Sequence, residues 1–136
     1  MFLYMFFGMV AIHLFIMPYV MIADPQDFRI SLNGVYMATF AGAAMVVLEA
    51  LRHPLSTEGW VATLVLLTLS YLAVRYQWFV SDAQYLRDMI PHHSMAVLTS
   101  RPRVEKTTNP EVRGLATGIL RAQMTEIIEM KKLLEM

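Results

Sequence analysis

The sequence predicts an all-α membrane protein, three transmembrane helices followed by an amphipathic α-hairpin, and three observations lead there. Of its 136 residues, 57% are hydrophobic and 16% charged, with a mean hydropathy of +0.47, too apolar for an ordinary soluble domain of this size. Apolar runs long enough for a bilayer fall at about 1–22, 30–51 and 59–80. Past residue 80 the pattern changes to apolar residues at helical spacing among charges. The chain therefore divides into a transmembrane region, 1–80, and a helical-hairpin domain, 81–136.

The first run, Met1 to Ile22, is interrupted only by Gly8, His13 and Pro18 and covers about 33 Å as a helix, enough to span. No basic segment precedes it and no small-residue cleavage pattern follows, so it is expected to be a retained helix rather than a signal peptide. Met1, Met5, Met9, His13, Met17 and Met21 recur every four residues, a slowly drifting row on one side of the helix. The row is a possible second set of soft ligands, but the preferred reading is methionine as flexible membrane filler, with His13 packed against another helix.

Asp24-Pro25-Gln26-Asp27 reads as a polar turn. In the second run Gly34, Ala38 and Gly42 stand four residues apart beside Ala41, Ala43 and Ala44, a small-residue face that lets another helix approach closely. The third run ends among Tyr71, Tyr76, Trp78 and Phe79, an interfacial aromatic belt to which Arg75 can snorkel. With three crossings, Arg52 lies on one side of the membrane and Arg29 and Arg87 on the other, a difference too small to orient the protein.

The stretch Asp82 to Thr99, DAQYLRDMIPHHSMAVLT, concentrates the chemistry. On a helix His93 shares a stripe with Asp82, Leu86, Met89, Ile90 and Val97, while His92, turned by about 100°, lies nearer Met95. Pro91 denies the carbonyl of Arg87 its intrahelical partner, and a kink is expected there. Arg101 to Asn109 is rich in charge, Pro and Thr and reads as a loop. Asn109, Pro110 and Glu111 announce the last helix, with an apolar stripe expected at Leu115, Ile119, Gln123, Ile127, Met130 and Leu134. Folded as an antiparallel hairpin, the two helices set Met89 and His93 opposite Gln123, Glu126 and Met130.

Those groups either satisfy one another or share an ion, and spacing alone leaves both open. Cysteine is absent, and twelve methionines and four histidines remain as soft or borderline donors, a set suited to Cu(I) or Ag(I). Asp82 and Glu126 are too few for a di-iron cluster, and no Glu-x-x-His occurs, which disfavours a ferritin-like redox enzyme. No HExxH, GxSxG or glycine-rich phosphate loop is present, so hydrolases and kinases are set aside and no catalytic residue is assigned. A net charge of zero and a pI near 6.9 offer no field for nucleic acid.

The pattern Asp82-x-x-Tyr85-x-x-x-Met89-Ile90-Pro91-His92-His93-x-x-Ala96-Val97, followed by Gln123-x-x-Glu126-Ile127-x-x-Met130, resembles the bacterial family called domain of unknown function 305. The resemblance covers about the last 55 residues. It implies a ferritin-like helical fold outside the cytoplasm, hence a bacterial inner-membrane protein with an extracytoplasmic hairpin. It also implies copper or silver bound through Met89, His92, His93 and Met130, with Asp82, Gln123 and Glu126 as supporting polar positions; to these the reading of the residues themselves adds Glu126 as a carboxylate donor and Met95 in support. One departure is Thr99, where the family pattern usually has methionine, while Met95 stands where it often has a small residue. A helix pair of this size buries too little surface to stand alone, so a homo-oligomer bundling several hairpins is expected. The rival expectation is a structural or interaction protein of the membrane in which the histidines serve packing.

Overall fold

The computed structural model describes residues 1–136, all helix and connection. The chain separates into two compact units, Met1–Met17 with Ile30–Ser81, and Pro18–Arg29 with Asp82–Met136. This division departs from a boundary at residue 80, because the connection after the first helix belongs with the hairpin.

In the first unit lie most of α1 (Phe2–Met21), α2 (Leu32–Ala50) and α3 (Thr57–Tyr76), each long and apolar enough to cross a membrane by length and composition. A π-turn occupies Ile12–Ile16 of α1, with the Met17 N–H bonded to the Ile12 carbonyl. Pro18 follows directly; its ring would collide with the carbonyl four residues back, and a widened turn relieves that clash.

Ser31 caps α2, its hydroxyl accepting the Gly34 N–H at 2.9 Å. Helices α1 and α3 both pack on α2. Within the expected small-residue face Ala38, Gly42 and Ala43 are buried, and α1 meets it at Gly42. A Cβ on Gly42 would stand 2.9 Å from Phe6 Cδ2 and 3.0 Å from the Phe6 carbonyl oxygen, so only glycine permits this approach. Helix α3 buries Thr63, Ser70 and Ala73. The two hydroxyls donate to carbonyls of their own helix, Thr63 to Gly59 at 2.8 Å and Ser70 to Leu66 at 2.6 Å, and so enter an apolar interior already satisfied.

Helix α3 runs from Thr57 to Tyr76 rather than from 59 to 80. Ser56 caps its start by accepting the Gly59 N–H at 3.1 Å. Gln77, left-handed at φ 52°, ends it by donating its N–H to the Ala73 carbonyl. Trp78 and Phe79 therefore lie past the helix. Hydropathy carried the expected helix through them because they are apolar.

The second unit is built on α4 (Asp82–Lys106) and α5 (Pro110–Leu134). Helix α4 continues through Pro91 and Pro102, and only Thr107–Asn109 remains as loop, correcting the longer loop expected from Arg101. The carbonyls that the two prolines leave unpaired belong to Arg87 and Leu98, both exposed, where water can serve them. Asn109 caps α5, accepting the N–H groups of Glu111 and Val112, and Arg113 closes the turn on the Thr107 carbonyl at 2.6 Å.

The core between these helices comprises Ile90, Val97, Ile127 and Met130, flanked by Leu86, Met89, Leu120, Leu134 and Ala23. The stripe expected on α5 needs correction in its first half, since Leu115 is 68% exposed and Ile119 37%. A row of four-residue steps drifts about 40° per step. The inward face alternates steps of four and three, through Ala116, Leu120, Gln123, Ile127, Met130 and Leu134.

Candidate functional site

Helix α4 carries Met89, His92, His93 and Met95, and α5 carries Gln123, Glu126 and Met130. The structure brings His93, Gln123 and Glu126 together. His93 Nδ1 is 3.0 Å from Glu126 Oε2, with side chains 16% and 47% exposed. Gln123 Nε2 donates to the same oxygen at 3.3 Å. The His93 nitrogen is buried and has no directed hydrogen bond, because the carboxylate oxygen stands off the line of an Nδ1–H. The pair is thus a close contact without a directed hydrogen bond.

Met130 is buried in the core cluster, and Met89 packs against it half-buried. Both thioethers therefore lie in the same inter-helix layer as Ile90 and Ile127. His92 is exposed, its ring centre 6.2 Å from that of His93. Asp82 is exposed at the start of α4, and Met95 is half-buried. Thr99 donates its hydroxyl to the carbonyls of Met95 and Ala96, so it is committed to its own helix. Three or more His, Asp or Glu side chains do not converge anywhere in the chain. In the α1 row, Met5, Met9 and His13 are half-buried and Met17 is exposed. A second His–Glu pair, Glu49 and His53 at 3.5 Å, closes the end of α2 with an exposed imidazole.

Sequence reasoning passed over the most buried polar cluster. Asp27 is 4% exposed and Ser94 0%. Ser94 Oγ donates to Asp27 Oδ2 at 2.6 Å and accepts the Ala23 N–H at 2.9 Å, and Lys131 Nζ lies 2.5 Å from Asp27 Oδ1. Asp27 closes a 3₁₀ turn, Pro25–Asp27, that Asp24 caps by accepting the Gln26 N–H. The partners are 67 residues apart or more in sequence, so no local pattern announces them.

The fold and site define a class: an all-helical protein with three helices of membrane length and a helical hairpin holding a histidine–carboxylate pair. Residues 81–136 match the domain of unknown function DUF305. The chain is also 35% identical over 113 residues to "Uncharacterized protein L153" of Acanthamoeba polyphaga mimivirus, covering 80% of this chain and 74% of that protein. The chain belongs to the DUF305 family. The stretch shared with the viral relative is longer than the hairpin, so the likeness takes in part of the apolar helices as well. No solved structure matches.

Proposed function

We propose that this protein is a membrane-anchored binding protein for a soft metal ion, copper or silver, serving metal homeostasis or resistance, with the hairpin as the ion site. The observation that carries the reading is the buried His93 Nδ1 without a directed hydrogen bond, on a hairpin whose core also includes Met89 and Met130. A buried donor atom left without a partner costs about 1–3 kcal/mol, a cost that coordination would offset. Glu126 would supply a carboxylate, Gln123 would orient it, and His92 would approach from the solvent side. Imidazole and thioether without thiolate suit Cu(I) or Ag(I), and bound there the ion is cargo rather than a catalyst.

Topology supports the membrane reading. Three crossings put the connection after α1 on the same side as the hairpin, and these two segments form one compact unit. On the family resemblance, that side is the outside of the cytoplasm of a bacterial inner membrane. The hairpin leaves Leu115, Ile128 and Leu133 more than half exposed, which supports a homo-oligomer in which hairpins bundle.

The test is a Cu(I) titration of the purified full chain against His93→Ala and Met89→Leu. Uptake of one ion per hairpin is expected, weakened at least tenfold by His93→Ala and less by Met89→Leu. Equal uptake by all three proteins would eliminate the site and favour structural histidines, a reading to which the His93–Glu126 contact also lends itself.

A further inference from the structure

A carboxylate withdrawn from water must have its charge met and its oxygens bonded. Asp27 divides these demands between the two hairpin helices. Oδ1 faces Lys131 of α5, and Oδ2 receives the Ser94 hydroxyl of α4. Ser94 is wholly buried, and the Ala23 N–H occupies its oxygen from the same connection. Proton and lone pair of that hydroxyl are therefore both directed by residues 23–27.

The two anchor points are the sequence neighbours of site residues: Ser94 follows His93, and Lys131 follows Met130. The core contacts of Ile90, Val97 and Ile127 are apolar, and apolar attraction is non-directional. The Asp27 contacts are directional. Sliding α4 along α5 by one residue, about 1.5 Å, would take at least one of them beyond hydrogen-bond range, and would carry His93 away from Glu126 at the same time.

We propose that Asp27 is a positioning residue for the His93–Glu126 pair: through Ser94 and Lys131 it fixes the register of the hairpin at which that pair meets. The connection Pro18–Arg29 is then a working third element of the hairpin unit. The inference rests on the His93–Glu126 geometry and holds with or without a bound ion.

The test uses the full chain with ¹⁵N-labelled histidine in lipid nanodiscs, without added metal. The His93 ring signals are identified by their loss in His93→Gln. Glu126→Gln is expected to shift them, and Asp27→Asn to shift them similarly, with Glu126→Gln adding nothing on the Asp27→Asn background. His13 and His53 should keep their signals. Ser94→Ala removes one anchor, keeps the Asp27–Lys131 ion pair, and should also move His93; it is the deciding variant should Asp27→Asn fail to fold. Unmoved His93 signals in the deciding variant, with the response to Glu126→Gln intact, would overturn the proposal. Such a result would leave a copper site at the hairpin standing, so the two proposals fail separately.

Discussion

The two units solve the same problem, burying polar groups, in opposite ways. In the first, the buried hydroxyls of Thr63 and Ser70 bond to carbonyls of their own helix, and the helices meet through Ala38, Gly42 and Ala43. In the second, Ser94, Asp27 and Lys131 bond across elements distant in the chain, and the helices meet through Ile90, Val97, Ile127 and Met130. Local satisfaction with small-residue contact suits helices surrounded by lipid, which gains little from apolar burial and gives no water to an unpaired group. Cross-element satisfaction around a branched aliphatic core suits a domain that gains its stability from burial in water. Among the buried groups, then, the first unit relies on close backbone approach at Gly42 and the second on pairing of side chains.

Two substitutions sharpen that contrast. Lys131→Met is expected to have the larger effect, because it leaves the Asp27 carboxylate buried without its counter-charge. Breaking a buried pair costs about 3–5 kcal/mol, and the 30% exposure of the Lys131 side chain places this one near the lower end. Hydrogen exchange in nanodiscs should show protection lost around residues 22–29 and 90–97, with α2 unchanged. Gly42→Leu should do the reverse at about 2 kcal/mol, the scale of an overpacked contact. Its Cβ meets the backbone of Phe6, so α1 must move from α2 while the hairpin keeps its protection. If either variant loosened both units alike, the two would not be energetically separate.

Much of this was legible in the amino-acid order. Long apolar runs announced α1, α2 and α3, and the Gly42 face was readable from spacing alone. The meeting of His93 with Gln123 and Glu126 followed from two amphipathic stripes and a short connection. What escaped reading had particular causes. The end of α3 depends on Gln77 adopting a left-handed conformation, which hydropathy does not register. Helix α4 outran its expected end because Pro102 frees a carbonyl on an exposed turn, where the loss is small. In the sequence Asp27 is one of two acids in a polar turn. Its burial depends on Ser94 and Lys131, which only the folded chain brings to it. Ser94 stands beside the histidines with no local signal of its role, although it is the most enclosed polar side chain in the protein.

The family assignment bears on how the site is to be understood. The hairpin carries the DUF305 match, yet its compact unit includes Pro18–Arg29, outside that match. A hairpin excised at residue 81 would lose Asp27 and expose the Ser94 hydroxyl and the Lys131 ammonium that it pairs.

X-ray absorption at the copper edge, on the full chain loaded with one equivalent of Cu(I), bears most directly on the proposal that imidazole and thioether share one ion in the hairpin. A first shell of mixed sulfur and imidazole nitrogen is expected, with the imidazole contribution diminished in His93→Ala. A shell of nitrogen and oxygen alone, or imidazole scattering unchanged in His93→Ala, would contradict it.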